Sequence, residues 1–248
     1  MSGVLVVTGG SRGIGADIAR LGARRGYKVG VNYARNRKAA QAVVEEIRAE
    51  GGEALAVHAD VSEEADVKSM FRMVDQELGP VTALVNNAGI VTPIARVAEM
   101  TAERINHLFA VNVTSAFICA REAAKRMSTA EGGPGGAIVN MSSAASRLGS
   151  PNEFVDYAAS KGALDAFTIG LSKELAAEGI RVNAVRPGLI DTEIHASAGA
   201  PDRVERLKDN VPMQRVGRPS EVAEAALWLL SDASSYVTGT FIDVSGGR

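Results

Sequence analysis

Residues 4–15 read Val4-Leu5-Val6-Val7-Thr8-Gly9-Gly10-Ser11-Arg12-Gly13-Ile14-Gly15. A short apolar run ends in a glycine-rich turn, and the helical pattern Ile14–Arg25 follows directly. Strand, tight turn and helix N-terminus in that order open a βαβ unit. Glycines there let the backbone approach a pyrophosphate, and the helix start offers N–H donors and the positive end of its dipole. A turn needed only for strand–helix packing would read alike in isolation, but the place after the first strand favours binding. The candidate contacts are Gly9, Ser11, Arg12, Gly13, Ile14 and Gly15. The spacing is Gly9-x-x-x-Gly13-x-Gly15 rather than G-x-G-x-x-G.

Outward from this unit, apolar runs alternate with amphipathic stretches to the end of the chain. The strand candidates are Val4–Thr8, Lys28–Tyr33, Ala54–Ala59, Ala83–Asn86, Ala137–Met141, Arg181–Arg186 and Thr240–Val244. They are nearly continuously apolar, as strands covered on both faces are. Helical patterns lie between them at Ala39–Glu50, Glu63–Leu78, Ala102–Met127, Tyr157–Ala177 and Glu221–Leu230. Strict alternation predicts an α/β fold: a doubly wound parallel sheet of the Rossmann kind, seven strands with helices on both faces. With no linker-like composition shift and no repeat, residues 1–248 are expected to form a single dinucleotide-binding and catalytic domain.

Bulk properties narrow the function classes. The 248 residues are 46% hydrophobic and 23% charged, ordinary globular composition, and a net charge of -2 gives no footprint for nucleic acid or an anionic membrane. Cys119 is the single cysteine, which excludes an internal disulfide and suits a reducing compartment. The N-terminal apolar run is too short for a secretory signal, and no stretch of about 18 apolar residues occurs. A cytoplasmic location without membrane contact is expected.

Cofactor choice is read at the end of the second strand, where NAD enzymes place an acid against the ribose hydroxyl. Val31-Asn32-Tyr33-Ala34-Arg35-Asn36 contains no carboxylate. Arg35 and Arg12 could bond a 2′-phosphate bidentately, and Tyr33 borders the same place, so NADP is expected. Asp60-Val61, after the third strand, fits either an adenine contact or a cap before Ser62-Glu63-Glu64. Asn86-Asn87-Ala88-Gly89 follows the fourth strand at the same sheet edge; its asparagines can tie strand ends together while Ala88 and Gly89 admit the cofactor.

Asp156-Tyr157-Ala158-Ala159-Ser160-Lys161 opens a helix after the fifth strand, and Tyr157 and Lys161 share one face a turn apart. About one tyrosine in a thousand is ionised at neutral pH. A neighbouring ammonium favours the phenolate; lowering its pKa by about three units corresponds to roughly 4 kcal/mol. Tyr157 could then act as acid in reduction and base in oxidation. Ser142-Ser143 ends the fifth strand, where a hydroxyl can bond a substrate oxygen. Taken singly, each of these is an ordinary helix or loop residue; together at one sheet edge they form a candidate site.

The TGxxxGxG loop with Gly9, Gly13 and Gly15, Asn86-Asn87-Ala88-Gly89, Asn112, Ser143, Tyr157-x-x-x-Lys161 and Pro187-Gly188 together resemble the short-chain dehydrogenase/reductase family from end to end. The resemblance implies a catalytic tetrad Asn112–Ser143–Tyr157–Lys161. In it Lys161 also holds the nicotinamide ribose and Asn112 anchors a relay water. It implies that Pro187-Gly188-Leu189-Ile190-Asp191-Thr192 covers the nicotinamide, with Pro187, Gly188, Ile190 and Thr192 as contacts. Thirteen residues separate Ser143 from Tyr157 where the family usually has twelve, which leaves Ser142 as an alternative to the favoured Ser143. The helices bearing Asn112 and Tyr157 carry Ala116, Phe117, Ala120, Ala163, Phe167 and Leu171 on several faces, and the family pairs such helices in a homotetramer.

Substrate selection falls to a lid at about residues 191–219, where His195, Met213 and Gln214 could line a pocket or simply sit at the surface. The three histidines have no metal-ligand spacing, so no metal is expected. The nearest branches are 3-oxoacyl-carrier-protein reductases and glucose dehydrogenases. An acidic carrier protein needs basic residues at the mouth, yet Gly132–Gly136 and Ala177-Glu178-Gly179 carry none, so a small carbonyl or alcohol is expected instead. A non-catalytic NADP-binding regulatory or interaction protein would have lost tetrad members. An extended-branch epimerase or dehydratase would be longer.

Overall fold

The computed structural model describes residues 3–193, 199 and 206–248. Seven strands form one parallel sheet: β1 (Gly3–Val7), β2 (Tyr27–Tyr33), β3 (Ala54–His58), β4 (Val81–Asn86), β5 (Gly136–Met141), β6 (Ile180–Pro187) and β7 (Phe241–Val244), in the order β3-β2-β1-β4-β5-β6-β7. The helices are α1 (Gly13–Arg24), α2 (Arg37–Ala49), α3 (Glu64–Glu77), α4 (Ala102–Phe109), α5 (Ser115–Met127), α6 (Ala145–Leu148), α7 (Val155–Leu175) and α8 (Pro219–Leu230).

Alternation along β1 shows why its run is apolar throughout. Leu5 and Val7 pack with α1, α2 and α8 residues such as Ile18, Val43 and Leu227, while Val4 and Val6 join Phe71 of α3, Ala120 of α5 and Val182. Both faces are buried, so no polar alternation survives. The chain reverses winding direction between β1 and β4, which are hydrogen-bonded neighbours. Outside the carboxyl ends of these two strands lies the crevice in which doubly wound sheets bind ligands.

The predicted helix over Ala102–Met127 is helical between those same bounds, but not regular throughout. It divides into α4, a π-helical turn at Ala110–Thr114, and α5. Asn112 therefore sits in the π-turn rather than in a regular long helix. The Ser115 hydroxyl donates to the Val111 carbonyl at 2.5 Å. Such back-bonding to the preceding turn bends helices and competes with their backbone ladder. The segment between Ser143 and Tyr157 contains the short helix α6. The helix expected from Tyr157 begins at Val155 and its end at Ala176–Glu178 is 3₁₀.

Candidate active site

The glycine loop is shaped by contacts that exclude side chains. Gly9 and Gly13 adopt φ of +62° and +52°, the left-handed region that favours glycine. A Cβ on Gly15 would lie 2.4 Å from the Gly9 oxygen and 2.5 Å from Asn87 Nδ2. The loop is tied down by asparagines. Asn87 Nδ2 donates to the Thr8 and Gly9 carbonyls, and the Thr8 hydroxyl accepts from the Asn87 and Ala88 amides. Asn32 accepts from the Gly9 amide and donates to Val57 and Ala59 carbonyls, so β1, β2 and β3 meet on one side chain. Asn32 was not singled out by sequence pattern; its position one residue before the end of β2 was the available signal.

At the end of β2, Tyr33 is buried with its ring edge-on to His58, whose Nε2 lies 3.0 Å from the Ala34 oxygen. Arg35 is exposed. Arg12, also exposed, pairs with Glu193 at 3.1 Å. Asp60 accepts from the Ser62 hydroxyl and amide at 2.6 and 3.0 Å, and these bonds hold its carboxyl below the usual value. It therefore has the turn-forming role before α3 in this structure, with Val61 buried beside it.

Across the crevice, Asn86 at the end of β4 donates to Asn140 Oδ1 at 2.9 Å, and Asn140 donates to Thr168 on α7. This ladder joins β4, β5 and α7 beneath the site. Asn112 grips the next segment twice: its Oδ1 accepts from the Ile90 amide at 2.8 Å and its Nδ2 donates to the Ile90 carbonyl at 3.0 Å. The same Nδ2 lies 3.1 Å from Ser160 Oγ, which donates to the Tyr157 carbonyl.

Tyr157 and Lys161 lie in the first two turns of α7, with Lys161 Nζ 5.5 Å from the centre of the Tyr157 ring. Nζ donates to the Met141 carbonyl at 2.8 Å. Burial pulls the ammonium down from 10.5 to about 8, and the Asp165 carboxylate opposes that fall. A Cβ on Gly89 would sit 3.4 Å from Asn112 Oδ1 and 3.5 Å from Lys161 Nζ, so the loop after β4, the π-turn and α7 converge at one point.

The two serines part company. Ser142 is buried, its hydroxyl donating to Asp165 Oδ1 at 2.6 Å with the Lys161 carbonyl at 3.2 Å. Ser143 is half-buried and accepts from the Ala145 amide at 3.1 Å, which leaves its own proton to donate.

Gly13 and Thr192 face each other: a Cβ on the glycine would lie 3.4 Å from Thr192 Cγ2. The segment from Pro187 is fixed at its base, where Gly188 abuts Ser245 and Ile190 bridges Gly217. His195 lies outside the described residues. Gln214 has φ of +54° and its side chain donates to the Val211 and Asp209 carbonyls, while Met213 is exposed. Among the described residues no helix is long and apolar enough to cross a membrane.

The sheet order and the glycine loop at its switch point define a Rossmann-type α/β protein. A family model described as enoyl-(acyl carrier protein) reductase matches residues 9–248. The oxidoreductase YgfF of Escherichia coli K12, whose role is uncharacterised, is 59% identical over 245 residues, 99% of each chain. A 3-oxoacyl-[acyl-carrier-protein] reductase, FabG of Staphylococcus aureus Mu50, is 37% identical over 98% of this chain and 96% of its own. The crystal structure of a short-chain type dehydrogenase/reductase from Mycobacterium marinum superposes with TM-score 0.92 at 36% identity, covering 99% of this chain and 94% of that one. The chain belongs to the short-chain dehydrogenase/reductase family and is an oxidoreductase of that family, which uses a nicotinamide cofactor, NAD or NADP.

The residues present fit such a group. The loop is glycine where a side chain would collide, and the crevice edge carries the buried ammonium of Lys161.

Proposed function

We propose that this oxidoreductase is NADP(H)-dependent and interconverts a small carbonyl and a secondary alcohol, with Tyr157 as general acid and base. The observation that carries the reading is the Lys161 ammonium, desolvated and 5.5 Å from the Tyr157 ring at the carboxyl edge of the sheet. When bound, the nicotinamide supplies or accepts the hydride. Tyr157 gives its phenolic proton to the carbonyl oxygen in reduction and takes it back in oxidation. Lys161 stabilises the phenolate through its charge and the shared helix face. Ser143 donates to the same oxygen as negative charge develops there. Asn112 shapes the site by clamping Ile90 and reaching Ser160.

Gly9, Ser11, Gly13, Ile14, Gly15, Asn87, Ala88 and Gly89 would hold the dinucleotide, with Pro187, Gly188, Ile190 and Thr192 covering its nicotinamide end and Asp60 and Val61 near its adenine. Arg12 and Arg35 support NADP, because no carboxylate stands at the end of β2. The Arg12–Glu193 pair is exposed on both sides, and pairs of that kind contribute about 0–1 kcal/mol, which a bidentate 2′-phosphate exceeds. One domain carries both functions, with residues of about 191–219 as lid, and works in the cytoplasm on a small molecule rather than a carrier-bound one.

A homotetramer is supported by the groove between α5 and α7, where Phe117 is 48% exposed yet stacks on Phe167 at 3.7 Å. A face of this kind, apolar and open, is ordinarily covered by another chain.

The test is NADPH and NADH binding by fluorescence, then consumption of each against ketones, ketoesters, quinones and sugars. NADPH should bind at least about tenfold more tightly, a difference of 1.4 kcal/mol. Tyr157→Phe should bind the nucleotide as before and turn nothing over. Turnover by that variant would remove Tyr157 from the chemistry.

A further inference from the structure

One turn beyond Lys161 on α7 stands Asp165, whose side chain is 14% exposed. Residues four apart on a helix are neighbours. Its carboxylate is held from two other elements. The Ser142 hydroxyl, at the end of β5, donates to Oδ1 at 2.6 Å. Arg186 of β6 donates to Oδ2 through Nε at 3.1 Å and Nη2 at 2.9 Å. Arg186 is itself fixed, its guanidinium 3.9 Å from the Phe241 ring centre and within 3.9 Å of Asp243.

We infer that Asp165 is a positioning residue that keeps Lys161 cationic, and that Ser142 and Arg186 serve by fixing the carboxylate behind it. The inference rests on the reading of Tyr157 and Lys161 as the working pair.

The need arises from burial. An ammonium withdrawn from water sheds its proton unless something nearby favours the charge. Lys161 donates to the Met141 carbonyl, a neutral acceptor. From the loop after β4 and the π-turn, Gly89 and Asn112 converge on the neighbourhood of Nζ, and neither carries a charge. On α7 the titratable neighbours are Tyr157, whose ring centre lies 5.5 Å from Nζ, and Asp165. From β6 comes Arg186, a like charge whose effect is blunted by its ion pair with Asp165. Among the described residues, Asp165 is the carboxylate one helical turn from Lys161 whose charge favours the ammonium.

This gives Ser142 a purpose. A hydroxyl at the strand end beside Ser143 looks like a second catalytic serine, but its proton is directed at Asp165 and its oxygen lies against the backbone of Lys161.

The test reads Lys161 directly in the whole protein, by NMR titration of lysine Cε carbons, the Lys161 signal being assigned by its loss in Lys161→Met. In Asp165→Asn the Lys161 midpoint should fall by about one unit below that of the unmodified protein. The double variant Asp165→Asn/Arg186→Gln also removes the guanidinium that would otherwise lose its carboxylate, and so tolerates the loss better; its midpoint should fall as well. Circular dichroism identifies which variants are folded. A midpoint unmoved or raised in either folded variant overturns the inference. The titration needs neither nucleotide nor substrate. Failure of the enzyme reading would show as an inactive protein with the shift intact, and failure of the inference as an active protein without it.

Discussion

Replacing Lys161 with methionine should make the protein more stable while removing its chemistry. Lys161 is 4% exposed, and its ammonium falls from 10.5 to about 8. That fall corresponds to about 3 kcal/mol of cost for carrying the charge in the folded state. The folded value lies below the unfolded one, so the folded protein holds this proton less tightly. The cost is present in full below about pH 8 and is relieved as pH rises from about 8 toward 10.5. Methionine fills a similar volume without charge but loses the Nζ bond to the Met141 carbonyl, worth about 1 kcal/mol. The net gain near pH 7 is therefore about 2 kcal/mol, or about 4–8 °C in Tm for a chain of this size. Urea unfolding of both proteins near pH 7 and near pH 10 measures it. At the higher pH the unmodified lysine has shed its proton, and the gap should close. A methionine variant that is less stable near pH 7, or a gap indifferent to pH, would refute the reasoning.

Two further outcomes follow from the packing. Asn140, fully buried, joins Asn86 to Thr168; Asn140→Leu should lower stability by about 2 kcal/mol, read from the urea midpoint, and an unchanged midpoint would mean that the ladder adds nothing. Phe117→Glu places a charge in the open α5–α7 groove and should reduce the mass seen by light scattering without altering the circular dichroism of the chain; an unchanged multi-subunit mass would move the interface elsewhere.

The sheet was legible because its strands are covered on both faces. β1, β5 and β6 read as apolar runs for that reason, and their observed ends differ from the predicted ones by no more than one residue. The glycine loop was legible for a related reason: Gly15 lies where any side chain would strike the Gly9 carbonyl, a constraint that leaves its mark on one position. What escaped was made by tertiary pairing. The Ser115–Val111 bond that accompanies the π-turn involves an ordinary serine in an ordinary helical pattern. Asp165 and Arg186 are 21 residues apart on different elements, and nothing local in either neighbourhood announces the other. The choice between Ser142 and Ser143 had the same difficulty, since only the position of Asp165 separates a bridging hydroxyl from one whose proton is left to donate.

Helix α7 explains why the fold was read from strands and the site from motifs. Its buried residues include Asp156, Ser160, Lys161, Thr168 and Ser172, so polar groups lie on its covered side where an amphipathic helix would present only apolar ones. An inward polar face destabilises a domain unless each group is satisfied, because an unpaired polar group in low dielectric costs more than its bond returns. Every one of the five has a partner. Asp156 accepts from Arg104 at 2.8 Å, from the Thr92 hydroxyl and from the Tyr157 amide. Ser160 donates to the Tyr157 carbonyl, Lys161 to that of Met141, Thr168 to that of Leu164 and Ser172 to that of Ile169. None of the buried side-chain atoms left without a partner among the described residues belongs to α7. Ser160, Thr168 and Ser172 turn back on carbonyls of α7 itself, as Ser and Thr do within helices, whereas Asp156 and Lys161 are held from other elements, by Arg104 and by the Met141 carbonyl. The arrangement is what a helix must carry when its first two turns have to hold a phenol and a cation at a fixed place beside the crevice, and it blurs the hydrophobic period for the same reason.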